Sequence, residues 1–306
     1  MTATRQGIEV LAARDVPLGG ARALTVHRTL PQRGRTLVGA WCFADAYGPT
    51  PDATAMDLPP HPHTGLQTVS WLYAGEIEHR DSTGARALVR PGQVNLMTAG
   101  RGIAHTETST AAAAALHGVQ LWVALPDAHR WIAPFFEHAE PEAIALGPAT
   151  LRVFVGELAG QRAAVTTFSP LLGAQLDVPA GATVRVPVDP AFEHGFLVDA
   201  GAARVQGVPV PPSSHGVVGT GARELVVSAD TPVRGLLLGG VPLGEQIVMW
   251  WNFVGRSHDE IERFRREWQA DVVDGGDPHG RFGTVDHPAP PLPAPELPRV
   301  RLRPRS

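Results

Sequence analysis

Short valine- and leucine-rich runs, each stopped by glycine or proline before it could become a long helix, set the strongest limit on what this chain can fold into. AQLDVPAGATVRVPVDP (174–190) and GFLVDAGAARVQGV (195–208) alternate apolar and polar residues and then turn. A period of two belongs to a strand with one buried face. With 33 glycines and 29 prolines among 306 residues, turns recur often enough for many short strands. One stretch departs from this pattern. In SHDEIERFRREWQADV, Ile261, Phe264 and Trp268 recur at helical spacing, Ser257 can cap, and Glu260 can close the capping box. The expectation is an all-β chain, long enough for two domains, with a helix near its end that docks on a barrel.

The remaining bulk properties exclude several function classes. The net charge of -4 is spread along the chain, so no general nucleic-acid surface is expected. Cys42 is the only cysteine and reads as a small buried hydrophobe, with no internal disulfide to form. The opening MTATRQGIEVLAARDVPLGG lacks the apolar core of a signal peptide, and no run is long enough to span a membrane. A soluble cytoplasmic protein, monomeric and without membrane or direct nucleic-acid contacts, is the expectation.

Chemistry concentrates between residues 61 and 107. His61 and His63 stand two apart, as do His105 and Glu107, so on strands each pair points both side chains to one face. If neighbouring strands bring the pairs together, three imidazoles and a carboxylate form a divalent metal site. VSWLY (69–73) and QVNLM (93–97) read as strands, and Gly100 and Gly102 permit a tight path before His105. Glu76 and Glu78 suit a solvent face, and His79 then faces the other way without being assigned to the metal. Gln67 could project towards the same cavity, where its amide can hydrogen-bond but cannot act as a general base.

Elsewhere the residues suggest scaffolding. YGPTPDATAMDLPP (47–60) reads as a loop forming a pocket rim, with Asp45 and Asp57 as rim or turn residues. Residues 127–144 read as the passage between domains, with His129 and His138 structural or exposed. The later histidines, His194 and His215, do not pair at ligand spacing, so no metal is expected in the second half. The ending DHPAPPLPAPELPRVRLRPRS reads as an extended surface arm. The boundaries expected are 1–134 for an N-terminal metal-binding domain and 135–306 for a C-terminal domain carrying the helix and the proline-rich tail.

HPHTGLQTV (61–69), HRDSTG (79–84), RPGQVNLMTAGRGIAHTE (90–107), PLGEQIVMWWNFVG (242–255) and GRFG (280–283) together resemble the pirin family of the cupin class. The resemblance spans roughly residues 20 to 285. It implies a bicupin: two antiparallel, jelly-roll-like β-barrels with short C-terminal helices and one metal in the N-terminal barrel. Carried onto this chain, the family ligands fall on His61, His63, His105 and Glu107. Fe(II) is the usual family metal, with Ni, Mn, Cu or Zn able to take such sites. Bacterial members resemble quercetin 2,3-dioxygenases, which implies a small aromatic polyphenol and dioxygen as partners; for that reaction Glu107 is the catalytic residue expected, accepting the hydroxyl proton when it is not firmly coordinated. Animal members imply an alternative, a non-enzymatic iron-dependent redox sensor or co-regulator with a protein partner. Gln67 stands where family members often carry Glu, a change of charge beside the ligands and not among them.

Overall fold

The computed structural model describes residues 7–18, 24–50, 56–110 and 115–306. These divide into two compact units, neither continuous in sequence. One draws on Met1–Val16, His27–Ala46 and Ala139–Leu243, the other on Pro17–Val26, Tyr47–His138 and Gly244–Ser306.

In the first unit the expected alternation is realised residue by residue. On the strand Ala182–Pro187, Val184 and Val186 are buried while Arg185 between them is exposed. That strand lies at one end of a four-stranded sheet that continues through Glu224–Ala229 and Ala203–Val205 to Val208–Val210. A larger sheet runs from Ile8–Ala12 through Ser214–Val218, Glu193–Ala200, Val233–Gly240, Leu171–Val178 and Ala149–Leu158 to Ala143–Leu146. Leu151, Leu176, Phe196, Val205, Val227 and Leu237 belong to one buried cluster drawn from both sheets. Burying such side chains contributes roughly 1.5–3 kcal/mol each relative to exposure.

Two further sheets carry the residues of interest. The seven-stranded one orders Phe135–Ala139, Val94–Thr98, Leu66–Ala74, Leu116–Ala124, Trp41–Thr50, Leu24–Leu30 and Arg14–Leu18. The four-stranded one orders Asp57–His63, Ile103–Ser109, Ile77–Asp81 and Arg86–Val89. The strands around the histidines pair antiparallel, and a parallel bridge joins Thr64 to Phe253.

The all-β expectation therefore holds, but closure into two β-barrels does not. Among the described residues each sheet has two ends, for example Asp57–His63 and Arg86–Val89, and these edge strands are not paired with one another. The domains are cupin-like with open antiparallel sheets. Alternation specifies which face of a strand is buried, and it carries no information on whether the two edges of a sheet meet.

The supposed rim loop at 47–60 is also largely strand. Trp41–Thr50 and Asp57–His63 take most of it, and residues 51–55 lie outside the described part. Pro59 and Pro60 are tolerated because Asp57–His63 is an edge strand, where a missing N–H removes no essential ladder bond. The helix forms as read, over His258–Trp268, with Ser257 accepting from the Glu260 N–H at 3.2 Å. The second half of the box is replaced: Glu260 Oε2 accepts from the Arg256 N–H at 2.7 Å, and its carboxylate takes two bonds of 3.0 Å from Arg130. Ile261, Phe264 and Trp268 pack with Phe253, Phe282 and Ala104, the last being the neighbour of His105. The tail is no free arm. Leu292 N–H donates to Pro60 O at 2.9 Å, and Arg305 bridges to Ile247.

Candidate metal centre

The strand Ile103–Ser109 is central to its sheet, so its inward residues meet neighbours on both sides. His105 lies opposite His61 on one side and opposite Asp81 on the other, and Glu107 lies opposite His79. Directly opposed residues point to the same face, which makes these pairs neighbours. The register breaks between His105 and Glu107: His105 faces His61, but Glu107 faces Leu58, leaving one extra residue at Pro59–Pro60. That bulge separates Glu107 from the His61 side and leaves it nearer His79.

The result is two overlapping groups of buried donors. Donor atoms of His61, His63 and His105 all lie within 4.8 Å of one another, and those of His79, His105 and Glu107 do so separately. Ring centroids are 4.2 Å apart for His61 and His105 and 4.9 Å for His63 and His105. Trp122 stands edge-on to His63 at 5.1 Å. A third group, His258, Asp259 and Glu262, is half-buried to exposed on the helix. There His258 Nδ1 accepts from the Leu302 N–H and Asp259 pairs with Arg301, so two of its three members are already engaged.

Hydrogen bonds on the outer side of each ring decide which nitrogen is free. His61 Nδ1 donates to Pro59 O at 2.9 Å, and His63 Nδ1 donates to Asn252 O at 3.2 Å. In a neutral imidazole this leaves Nε2 as the unprotonated nitrogen. Neutrality follows from burial, which lowers His61 to about 4 and holds His63 and His105 well below the ordinary imidazole range, neighbouring imidazoles adding to the effect. His105 Nε2 is buried with no hydrogen-bond partner. A buried acceptor left without a partner costs on the order of 1–3 kcal/mol, and a cation would relieve that cost. The donor set fits a divalent metal.

Glu107 is buried, which raises its proton affinity, while a 3.1 Å bond from Ser70 Oγ opposes that rise. Ser70 also meets Gln120 Oε1 at 2.9 Å. Gln67, on Leu66–Ala74, is buried and donates to Thr98 Oγ1 at 2.9 Å, so its amide is tied to the neighbouring strand. Glu76 and Glu78 pair with arginines: Glu76 with Arg90, Glu78 with Arg80 and Arg86. His138 is exposed and His129 half-buried. Asp45 is buried in a two-pronged pair with Arg28.

Sequence reasoning gave no role at the centre to His79, Asp81, Ser70 or the Asn252 carbonyl. The spacing of His79 and Asp81 signals a shared face, as does that of the ligand pairs. The Asn252 contribution comes from backbone 189 positions away and leaves no trace in residue type.

Antiparallel sheets with clustered buried imidazoles define a cupin-type metal protein, and residues 173–274 match the family model of the pirin C-terminal cupin domain. Residues 23–123 match the pirin model itself, and the chain belongs to the pirin family. A Pseudomonas aeruginosa protein provisionally named a quercetin 2,3-dioxygenase is 42% identical over 293 residues, covering 94% of this chain and 91% of the relative. A pirin-like protein of Caulobacter vibrioides is 34% identical, covering 89% of this chain and 97% of its own. The crystal structure of quercetin 2,3-dioxygenase from Acinetobacter baumannii superposes with a TM-score of 0.89 at 37% identity, covering 96% of this chain and 97% of that one. No helix among the described residues is long and apolar enough to cross a membrane.

Proposed function

We propose that this chain is a metal-dependent dioxygenase that cleaves a flavonol or similar quercetin-like polyphenol with molecular oxygen, using Fe(II) held by His61, His63, His105 and Glu107. The observation carrying the proposal is the trio of buried neutral imidazoles with donor atoms within 4.8 Å of one another. Imidazole suits several divalent metals, and iron is chosen because the proposed reaction uses dioxygen. The dioxygenase from Acinetobacter baumannii, alike over nearly the whole chain, supports the reaction class.

When bound, the ferrous ion would supply Lewis-acid polarisation of a phenolic oxygen and a redox partner for dioxygen. The protein does the rest. His61 and His63 are oriented by carbonyls on their outer nitrogens, which fixes the direction of their free lone pairs. Glu107 is also the proton acceptor we assign, when its carboxylate is not bound to the ion: it is buried beside His105 and His79, and Ser70 Oγ bonds to it at 3.1 Å. Burial of the cluster keeps bulk water away from its donor atoms.

The test is oxygen uptake by iron-loaded protein with a panel of flavonols. One dioxygen consumed per polyphenol, lost in His105→Ala and sharply reduced in Glu107→Gln, is the expected result. Loaded protein that takes up no oxygen with any flavonol would overturn the substrate assignment.

A further inference from the structure

His79 and Asp81 lie outside the proposed ligand set, yet they sit directly behind one of its members. The strand Ile77–Asp81 alternates, sending Ile77, His79 and Asp81 inward and Glu78 and Arg80 outward. Asp81 Oδ2 lies 2.9 Å from His79 Nε2, and His79 Nδ1 lies 3.4 Å from His105 Nδ1. The Asp81 and His79 side chains are 0% and 5% exposed. Phe136 stacks on the His79 ring at 4.5 Å.

The carboxylate is pinned from its far side. Asp81 Oδ1 accepts from Thr83 N–H at 2.8 Å, from Thr83 Oγ1 at 2.6 Å and from Ala85 N–H at 3.3 Å, leaving Oδ2 directed at His79. An ionised carboxylate offers only lone pairs, so His79 Nε2 carries the hydrogen. With His79 neutral its other nitrogen is an acceptor, and the 3.4 Å contact then runs from the Nδ1–H of His105 to His79 Nδ1. The proton on His105 is thereby placed on Nδ1, and Nε2 is left bare. That nitrogen is the buried atom without a protein partner.

We propose that Asp81 and His79 form a relay that fixes the tautomer of His105 and presents its Nε2 lone pair to the metal. Both are positioning residues, and the inference rests on the reading of His105 as a ligand. The relay has a direction, and reversing it is the test. Asp81→Asn keeps an oxygen at the Oδ1 position, because the donors of Thr83 and Ala85 disfavour the flipped amide. An NH2 then faces His79. Each bond downstream reverses: His79 Nε2 accepts, His79 Nδ1 donates, and His105 Nδ1 must accept, which puts the proton on Nε2.

Cobalt(II) is the probe, with the full chain titrated calorimetrically and by its d–d absorption. The dissociation constant for Asp81→Asn should rise roughly 10- to 100-fold and the d–d spectrum should shift, while the metal-free variant melts close to the parent. Should Asp81→Asn fail to fold, His79→Phe keeps the stack on Phe136 but gives His105 no acceptor, and the same loss is expected. Parental affinity and spectrum in whichever variant folds would overturn the relay. A parent chain that binds no cobalt would instead overturn the ligand assignment on which it rests.

Discussion

His215 gives the pH dependence of stability a definite size. It sits on Ser214–Val218 between Leu11 and Leu197 of the adjoining strands, fully buried, with its ring filling the space beside Gly195. A Cβ at Gly195 would lie 2.0 Å from Nε2, so the imidazole occupies the space that a side chain at 195 would need. Burial pushes the imidazole down to about 3, the Arg35 charge adding and the Gly195 backbone opposing. Because the folded-state value is depressed, the contribution is complete above the ordinary value of about 6.5. As pH falls below that, the unfolded chain takes up the proton first, and stability drops by about 1.36 kcal/mol per pH unit until about pH 3. From pH 7 to pH 5 the loss is about 2 kcal/mol, 1.5 units at that slope. Leucine fills a similar volume and does not titrate. Urea unfolding of chelator-treated parent and His215→Leu protein at pH 7, 6 and 5 isolates the residue, since every other buried imidazole is common to both. The parent should lose about 2 kcal/mol more than the variant by pH 5. Parallel pH profiles would refute the reasoning.

Three further outcomes are expected. Metal added to chelated protein at about 100 times its dissociation constant should stabilise it by about 2.7 kcal/mol, read as a raised melting temperature, and His105→Ala should remove the rise. Gly65→Ala should destabilise by about 1–3 kcal/mol and weaken metal binding, because Gly65 has φ +68° and an added Cβ would lie 2.3 Å from Val254 O, two residues from His63. Ile261→Ala, at a fully buried position on the inner face of the helix, should cost about 2–5 kcal/mol in urea unfolding with the proposed ligands untouched.

How far the sequence reaches depends on how local the determining physics is. A period of two placed His61 with His63 and His105 with Glu107, because side-chain direction on a strand is fixed within two residues. The helix was legible from Ile261, Phe264 and Trp268 for the same reason at another period. The closure of sheets was not, since the pairing of edge strands depends on residues far apart in the chain. The Pro59–Pro60 bulge, which parts Glu107 from His61, looked like loop chemistry because prolines mark turns and edge strands alike. His79 was correctly faced away from Glu78, but its meeting with His105 required knowing that Ile77–Asp81 pairs with Ile103–Ser109.

The proposed ligands come from residues 61–107, yet the backbone that steadies them comes in large part from beyond residue 250. Asn252 O accepts from His63 Nδ1, Phe282 O accepts from the N–H of Ala104 beside His105, and the Leu292 N–H donates to Pro60 O beside His61. The turn that delivers the Asn252 carbonyl is itself held in an uncommon conformation, with Trp251 at φ +52°. Each of the three histidines thus has a brace one residue away or on its own ring, and all three braces lie within one compact unit. A fragment ending at residue 134 would keep every proposed ligand and none of these braces. His63 would then lose the carbonyl that orients its ring, while His61 would keep Pro59 O and His105 would keep His79, which is why the PLGEQIVMWWNFVG segment belongs to the chemistry of the centre alongside HPH.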